Sequence, residues 1–265
     1  MSQVLFRQSL AEEGELAICK QYFDTVEYRS MCKQNKVIGR YSCLPYYKEL
    51  EKDLYSNQCT LINRYSQHKF IADYKYYNIL KDYMPRSWTD HNISMARPNQ
   101  QFIVKGATNS KKTSWSTLFA PSRKDALILA SELKKDSLIG TQEIIYKEYV
   151  ELESFDTDYT GIPVANEWRF FLYQNTILTY GYYWSNFPEI NPDVPGVVMD
   201  LANKLKYIVD QHVNFYVLDI AKTAKGDAIL IEINDGQMSG LSNCPADELY
   251  KNLYEKTKDL RWDGI

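Results

Sequence analysis

Three oxygen-bearing side chains late in the chain, Asp219, Glu232 and Asn234, hold the clearest chemical potential. Asp219 interrupts the apolar run Phe215 to Ile220, and Glu232 interrupts the run Ala228 to Asn234. Lys225-Gly226-Asp227 between them is turn-forming, so the stretch predicts a β-hairpin. Strand side chains alternate faces, which puts Glu232 and Asn234 on one face. If the hairpin sets Asp219 opposite Glu232, the three groups converge. Such a set suits a hard cation such as Mg²⁺, with phosphate oxygens completing the shell. The plainer reading is a pair of strands whose charges face water. Against it, a lone charge inside an apolar run is costly to bury unpaired.

Cations stand upstream. The strand predicted over Gln101 to Gly106 ends in Lys105-Gly106, and a polar loop with Lys111 and Lys112 follows. Its amides and cations can cover phosphates, or form a mobile surface hairpin. No GxxxxGK[ST] is present, so it is not a P-loop. Lys75 lies in a helix predicted over Ile71 to Tyr83, where a solvated surface charge is the default. A strand over Glu143 to Val150 carries Lys147, Glu148, Tyr149 and Val150, then runs into the acidic segment Glu151 to Asp158. A strand edge there can read a nucleobase, and an acid can accept from ribose hydroxyls, although most of these acids read as surface loop. Glu167 and Arg169 share a strand face, where they can pair, or Arg169 can grip a phosphate.

These residues need a scaffold, and the chain supplies one. It has 265 residues, 45% hydrophobic and 25% charged, which fits a well-cored globular protein. A net charge of −3 argues against a broad nucleic-acid footprint. The five cysteines show no CxxC spacing, which reads as reduced thiols and a cytoplasmic location. No apolar run is long enough to cross a bilayer, and no signal peptide is evident. Residues 1–85 alternate strand and helix: an apolar run Val4 to Phe6, a helix over Ala11 to Tyr22, a strand Val37 to Ser42, a helix from Pro45 to Leu54, and a strand Cys59 to Asn63. They predict a small α/β layer. Ser122 caps a predicted helix to Lys135; a hairpin is predicted over 167–182 around Gln174-Asn175. Helices follow over Val197 to Val209 and Ala246 to Lys256, and Arg261 to Ile265 reads as a loosely held tail. The divisions expected are 1–85, 86–150 and 151–265. With only His68, His91 and His212, histidine-based catalysis is disfavoured.

The order of these pieces resembles the ATP-grasp superfamily over roughly residues 59–241, in particular its short, divergent members. Leu61 to Asn63, a helix with Asp73 and Lys75, Leu80 to Pro85 with Trp88, Phe102 to Gly106, Lys147 to Val150, Glu167-Trp168-Arg169 and the Asp219…Glu232-x-Asn234 hairpin follow in family order. The chain departs from the family in having little glycine after Gly106 in the phosphate loop. The resemblance implies an α+β fold, with two subdomains clamping a nucleotide cleft behind the N-terminal layer. It implies ATP and Mg²⁺ as cofactors: Lys75, Lys105, Lys147, Glu148, Tyr149 and Val150 at the nucleotide, with Glu153 chosen for the ribose from Glu151, Glu153 and Asp156, and Asp219, Glu232 and Asn234 at the metal. Arg169 and Lys105 would be catalytic. The implied activity is carboxylate–amine ligation through an acyl phosphate, on an acid and an amine of small-molecule, peptide or protein type. A kinase on the same scaffold and a non-catalytic binding module are the alternatives.

Overall fold

The computed structural model describes residues 2–33 and 35–260; the tail expectation for Arg261 to Ile265 lies outside them. Four parallel strands, β1 (Gln3–Phe6), β2 (Asp24–Val26), β3 (Lys36–Arg40) and β4 (Thr60–Leu61), form the first sheet in the order β2-β1-β3-β4. Alternation divides their side chains between two faces. Val4, Phe6 and Ile38 pack on the side of helix α1 (Glu15–Cys19), while Leu5, Val37 and Leu61 pack against α2 (Tyr47–Ser56). Helix α1 is shorter than the sequence predicts, because Gly14 takes a left-handed φ of +83° and leaves Glu12 and Glu13 outside it. Pro45 likewise precedes α2 rather than occupying its first turn.

The helix predicted over Ile71 to Tyr83 is broken. It becomes α3 (Tyr65–Ala72) and α4 (Tyr77–Leu80), with Tyr74 between them at φ +55°. A left-handed tyrosine costs about 1–2 kcal/mol. Burial of its ring, stacked on Tyr77 at 5.5 Å, and a 3.1 Å hydrogen bond between its hydroxyl and that of Ser87 offset that cost.

The second sheet is antiparallel: β5 (Ser87–Thr89), β6 (Phe102–Gly106), β7 (Phe119–Ala120) and β8 (Ile144–Glu148), in the order β5-β8-β6-β7. Helix α5 (Arg123–Leu133), capped by Ser122, covers one face through Ala126, Ala130 and Leu133 against Phe102, Val104, Ile144 and Tyr146. The opposite face is left to the intervening positions, Ile103 and Lys105 on β6 and Ile145 and Lys147 on β8. Strand β9 (Ser154–Thr157), inside the acidic segment that reads as surface loop, pairs with β10 (Pro163–Ala165) beyond it in a small ribbon.

The third sheet, β12-β11-β13-β14, is built from β11 (Glu167–Tyr173), β12 (Thr176–Tyr182), β13 (Phe215–Lys222) and β14 (Ala228–Asp235). All seven β11 residues are buried, so both faces are covered. Trp168, Phe170 and Leu172 meet helix α6 (Gly196–Val209). Phe171, Tyr173 and Phe215 meet β1, β3 and helix α7 (Ala246–Thr257). Burying each such side chain contributes about 1.5–3 kcal/mol. Arg40, at the end of β3, is fully buried and knits three regions. It donates to Glu15 at 2.6 Å, to the carbonyls of Gly236 and Ser239 at 2.7 and 3.0 Å, and to the hydroxyl of Tyr250 on α7 at 3.2 Å.

Candidate active site

The β13–β14 register pairs Asp219 with Glu232, which meets the condition under which the three groups converge. Asn234, two residues on, shares the face of Glu232. Its amide Nδ2 donates to Asp219 Oδ2 at 3.1 Å and to Glu232 Oε1 at 3.1 Å, so the three groups form one cluster. On the other side of β13, β11 places Arg169 in register with Asp219. The guanidinium grips the carboxylate with two bonds, Nε to Oδ1 at 2.9 Å and Nη2 to Oδ2 at 2.8 Å, and Nη1 donates to the Gly240 carbonyl at 2.9 Å. Arg169 therefore pairs with Asp219 and not with Glu167.

The uncovered face of the second sheet points at this cluster. The Lys105 ammonium is ion-paired to Glu232 Oε2, and the Lys147 ammonium donates to the Ile231 carbonyl. Between the two sheets lies a cavity of about 330 Å³. One end is apolar, with Ile103, Trp115, Leu118, Tyr149 and Leu152; the other carries Lys105, Lys112, Lys147, Glu167 and Glu232. An apolar slot ending in convergent charges is what a nucleotide requires: a dry surface for a base and cations for phosphates. The Lys112 ammonium reaches inward from an exposed loop to the Tyr183 hydroxyl at 2.7 Å and lies over the Tyr183 ring at 4.4 Å. Arg169 lies over the same ring at 4.8 Å, so Tyr183 meets both cations.

The electrostatics follow from the crowding of four cations, Lys105, Lys112, Lys147 and Arg169, around Glu167, Asp219 and Glu232. Burial alone would raise the Glu232 carboxyl. Lys105, and behind it Lys147, overrule burial and hold it well below the usual carboxylate range. Lys147 is pushed down to about 7, by burial first and then by Lys105. Glu167 is pushed up to about 7, chiefly by burial, with Asp219 and Glu232 adding to the effect against the pull of Lys112.

No three His, Cys, Asp or Glu side chains form a metal-binding group among the described residues. An ion here would use two carboxylates, the Asn234 amide oxygen and oxygens from a ligand. The donor set fits Mg²⁺, being entirely hard oxygen. A polyphosphate beside Lys105, Lys112 and Lys147 would replace Glu232 as their counter-charge and release its oxygens to a cation.

Not every residue singled out in the sequence reaches the cavity. Lys75 is exposed and pairs with Asp73 at 3.3 Å, because the left-handed turn at Tyr74 separates it from the α3 face. The Glu153 carboxylate is taken by Lys222 at 2.8 Å and Asn166 at 2.7 Å, and it is Glu151 that lines the cavity. Glu148, Tyr149 and Val150 line it, but the Glu148 carboxylate turns to Arg86 at 2.9 Å. The Glu148 and Tyr149 amides donate to the carbonyls of Arg86 and Gln101. Lys112, Tyr183 and Trp184, whose ring lines the cavity 5.4 Å from the Lys112 ammonium, carry no individual signal in the sequence reading. The paired lysines of the polar loop hinted at the first, whereas nothing distinguishes Tyr183 among 22 tyrosines.

Comparison with known proteins agrees with this architecture. The model of the ATP-grasp domain, R-2-K clade, family 3, matches residues 88–253. The chain belongs to the ATP-grasp superfamily, in this clade family. No curated protein matches its sequence significantly. Among solved structures, D-cycloserine synthetase DcsG is similar with a TM-score of 0.61 at 13% identity, covering 97% of this chain and 99% of that one. The Chryseobacterium gregarium RiPP-associated ATP-grasp ligase, in complex with ADP and a leader and core peptide, gives 0.58 at 10% identity, over 100% and 99%. The ATP-grasp ligase PsnB, complexed with a phosphomimetic variant of its minimal precursor, Mg and ADP, gives 0.57 at 9% identity, over 96% of each chain. At these identities the likeness is one of fold. No helix among the described residues is long and apolar enough to cross a membrane.

Proposed function

We propose that the protein is an ATP- and Mg²⁺-dependent carboxylate–amine ligase that works through an acyl phosphate and forms ADP. The observation that carries this reading is the meeting of Lys105 and Lys147 with the Asp219–Glu232–Asn234 cluster across one cavity. The base would lie in the apolar end, against Ile103, Tyr149 and Leu152, with Val150 at its edge. Glu151, which lines the cavity where Glu153 does not, would accept from the ribose. Lys105, Lys112 and Lys147 would neutralise phosphate oxygens. Mg²⁺ held by Asp219, Glu232 and Asn234 would screen charge on the phosphates. Arg169, anchored on Asp219, adds positive potential where the transferred phosphoryl group and the acyl phosphate build up charge. Phosphoryl transfer needs positioning and charge neutralisation more than a covalent protein group. The five cysteines are free and buried, and burial pushes the Cys19 and Cys32 thiols up to about 12, which suits none of them to covalent catalysis. The acceptor is an amino acid or peptide, a choice supported by the peptide complexes of the similar ligases. We also propose the divisions 1–85, 86–150 and 151–265 as N-terminal layer, nucleotide clamp and metal-binding unit, acting in the cytoplasm.

The test is nucleotide chromatography with candidate acids and amines. ADP and free phosphate should form in equal amounts, and hydroxylamine should trap a hydroxamate when the amine is omitted. AMP as the main product would overturn the acyl-phosphate route. Normal turnover by Lys105→Met would remove that lysine from the site.

A further inference from the structure

A second, larger cavity shares no lining residue with the first. It measures about 780 Å³ and belongs wholly to the N-terminal layer. Its walls are the segments that leave the carboxyl ends of three parallel strands: Arg7 and Gln8 after β1, Glu27 to Ser30 after β2, and Ser42 to Tyr46 after β3. In the order β2-β1-β3-β4, the chain leaves β1 toward one edge and β3 toward the other. The crevice therefore sits at the point where the winding reverses. Open parallel sheets hold ligands there because neighbouring loops part and leave a gap.

The chemistry of the walls identifies the occupant. Arg7, Lys20 and Arg29 face a single acid, Glu27. Arg29 is matched by Asp53 at 2.9 Å, but Arg7 makes only a 3.4 Å bond to the Leu44 carbonyl. Neither Arg7 nor Lys20 has a carboxylate partner among the described residues. Around them Tyr28 and Tyr46 are 66% and 67% exposed, and Leu44 is 40% exposed. Unmatched cations beside uncovered aromatic and aliphatic side chains complement a chain that alternates acids with apolar groups. We infer that this crevice is a docking site for an acidic peptide segment bearing apolar side chains, separate from the nucleotide cavity. This goes beyond the ligase reading and does not depend on it.

The test uses the full chain and a fluorescein-labelled eight-residue peptide of aspartate, glutamate and leucine, with a matched lysine–leucine peptide, read by anisotropy. The acidic peptide should bind saturably, in the micromolar range at low salt, and the lysine peptide should not. Arg7→Glu with Lys20→Glu reverses two exposed charges, so affinity should fall about tenfold with no change in Tm. Tyr46→Ala should weaken binding without altering its salt dependence. Lys105→Met and a bound ATP analogue should leave binding intact, which keeps this result separate from any result on turnover. Absence of saturable binding, equal binding of the lysine peptide, or indifference to the double reversal would overturn the inference. So would loss of binding in Lys105→Met, or full displacement by millimolar inorganic phosphate, which would assign the crevice to a small anion.

Discussion

Replacing Glu232 by Gln is the most searching perturbation, because the carboxylate serves two roles. In the free protein it is the counter-charge of Lys105 and the main electrostatic support for the charged form of Lys147. Deleting one member of a buried pair costs about 3–5 kcal/mol when the other must stay charged. Lys147, pushed down to about 7, sets the pH dependence of that cost: at pH 8 it is already largely neutral and adds little repulsion to Lys105, whereas at pH 6 it is charged and also loses its counter-charge. We expect a loss of about 3 kcal/mol at pH 8, approaching 5 at pH 6. For a chain of this size the pH 8 loss lowers Tm by roughly 6–12 °C. The strand itself persists, since Gln is isosteric and Asn234 can donate to its amide oxygen. Ligand binding should respond in the opposite sense for the two forms of nucleotide. An ATP analogue with Mg²⁺ at about 100 times its Kd stabilises the parent by about 2.7 kcal/mol, and this gain should vanish in the variant. The metal-free analogue should bind as well as before or better, because a negative charge facing the phosphates has been removed. Thermal shift with and without Mg²⁺, repeated at pH 6 and 8, reads all of this. Equal stabilisation of variant and parent by the Mg²⁺ complex would refute the reasoning, and so would an unchanged Tm in the free protein.

Glu167 and Lys147 together set a pH dependence. Glu167 titrates at about 7 folded against 4.5 unfolded, so the folded state holds more protons between those values and stability falls as pH rises through them. Lys147 titrates at about 7 folded against 10.5 unfolded, so the unfolded state holds more protons above 7 and stability rises from there. Their joint contribution is least favourable near pH 7, and a Tm–pH profile of Lys147→Met should lack the rise between pH 7 and 10. Tyr183→Phe removes the hydroxyl that accepts from Lys112 but keeps the ring; nucleotide affinity should drop about threefold to tenfold with little change in Tm, as measured by calorimetric titration. At Gly181, an added Cβ would lie 2.3 Å from the Asn243 carbonyl carbon, and backbone cannot yield as a side chain can. Gly181→Ala should therefore cost about 3 kcal/mol, visible as a lower urea midpoint with unchanged slope.

The elements legible in the sequence are those where one periodicity dominates. The β13–β14 hairpin carries two β-prone runs and a turn, whereas its register, Asp219 to Glu232, is a condition that the sequence poses and the strand pairing meets. Helix α5 came with its cap. The misses have physical causes. Tyr74 adopts a left-handed backbone because a cluster of aromatic rings rewards it, a tertiary effect with no local signal. Strand β5 is three residues long and exists only by pairing with β8. In the candidate site, residues that strand alternation fixes, such as Lys105 and Glu232, meet at the cavity as the pattern of faces suggests. Residues brought in by loops carry no such pattern, because nothing local tells where Lys112 or Tyr183 points. Lys75 and Glu153 sit at reasonable sequence positions but spend their charges on Asp73, Lys222 and Asn166.

The Arg40 cluster has a bearing on how the chain can be cut. The family match begins at residue 88, which invites removal of everything before it. Yet the guanidinium of Arg40 holds the two carbonyls just past the Asp219–Glu232 hairpin, at Gly236 and Ser239, and Val4, Phe6 and Ile38 cover Phe171 and Phe215. A fragment starting at residue 88 would present those rings to water and leave the loop after Asn234 without its anchor. Such a fragment should aggregate on expression, and a separately made piece of residues 1–87 should rescue it only if the two are synthesised together. The N-terminal layer is thus an inseparable part of the protein's core, and recombination during evolution could exchange it only together with the sheet that it covers.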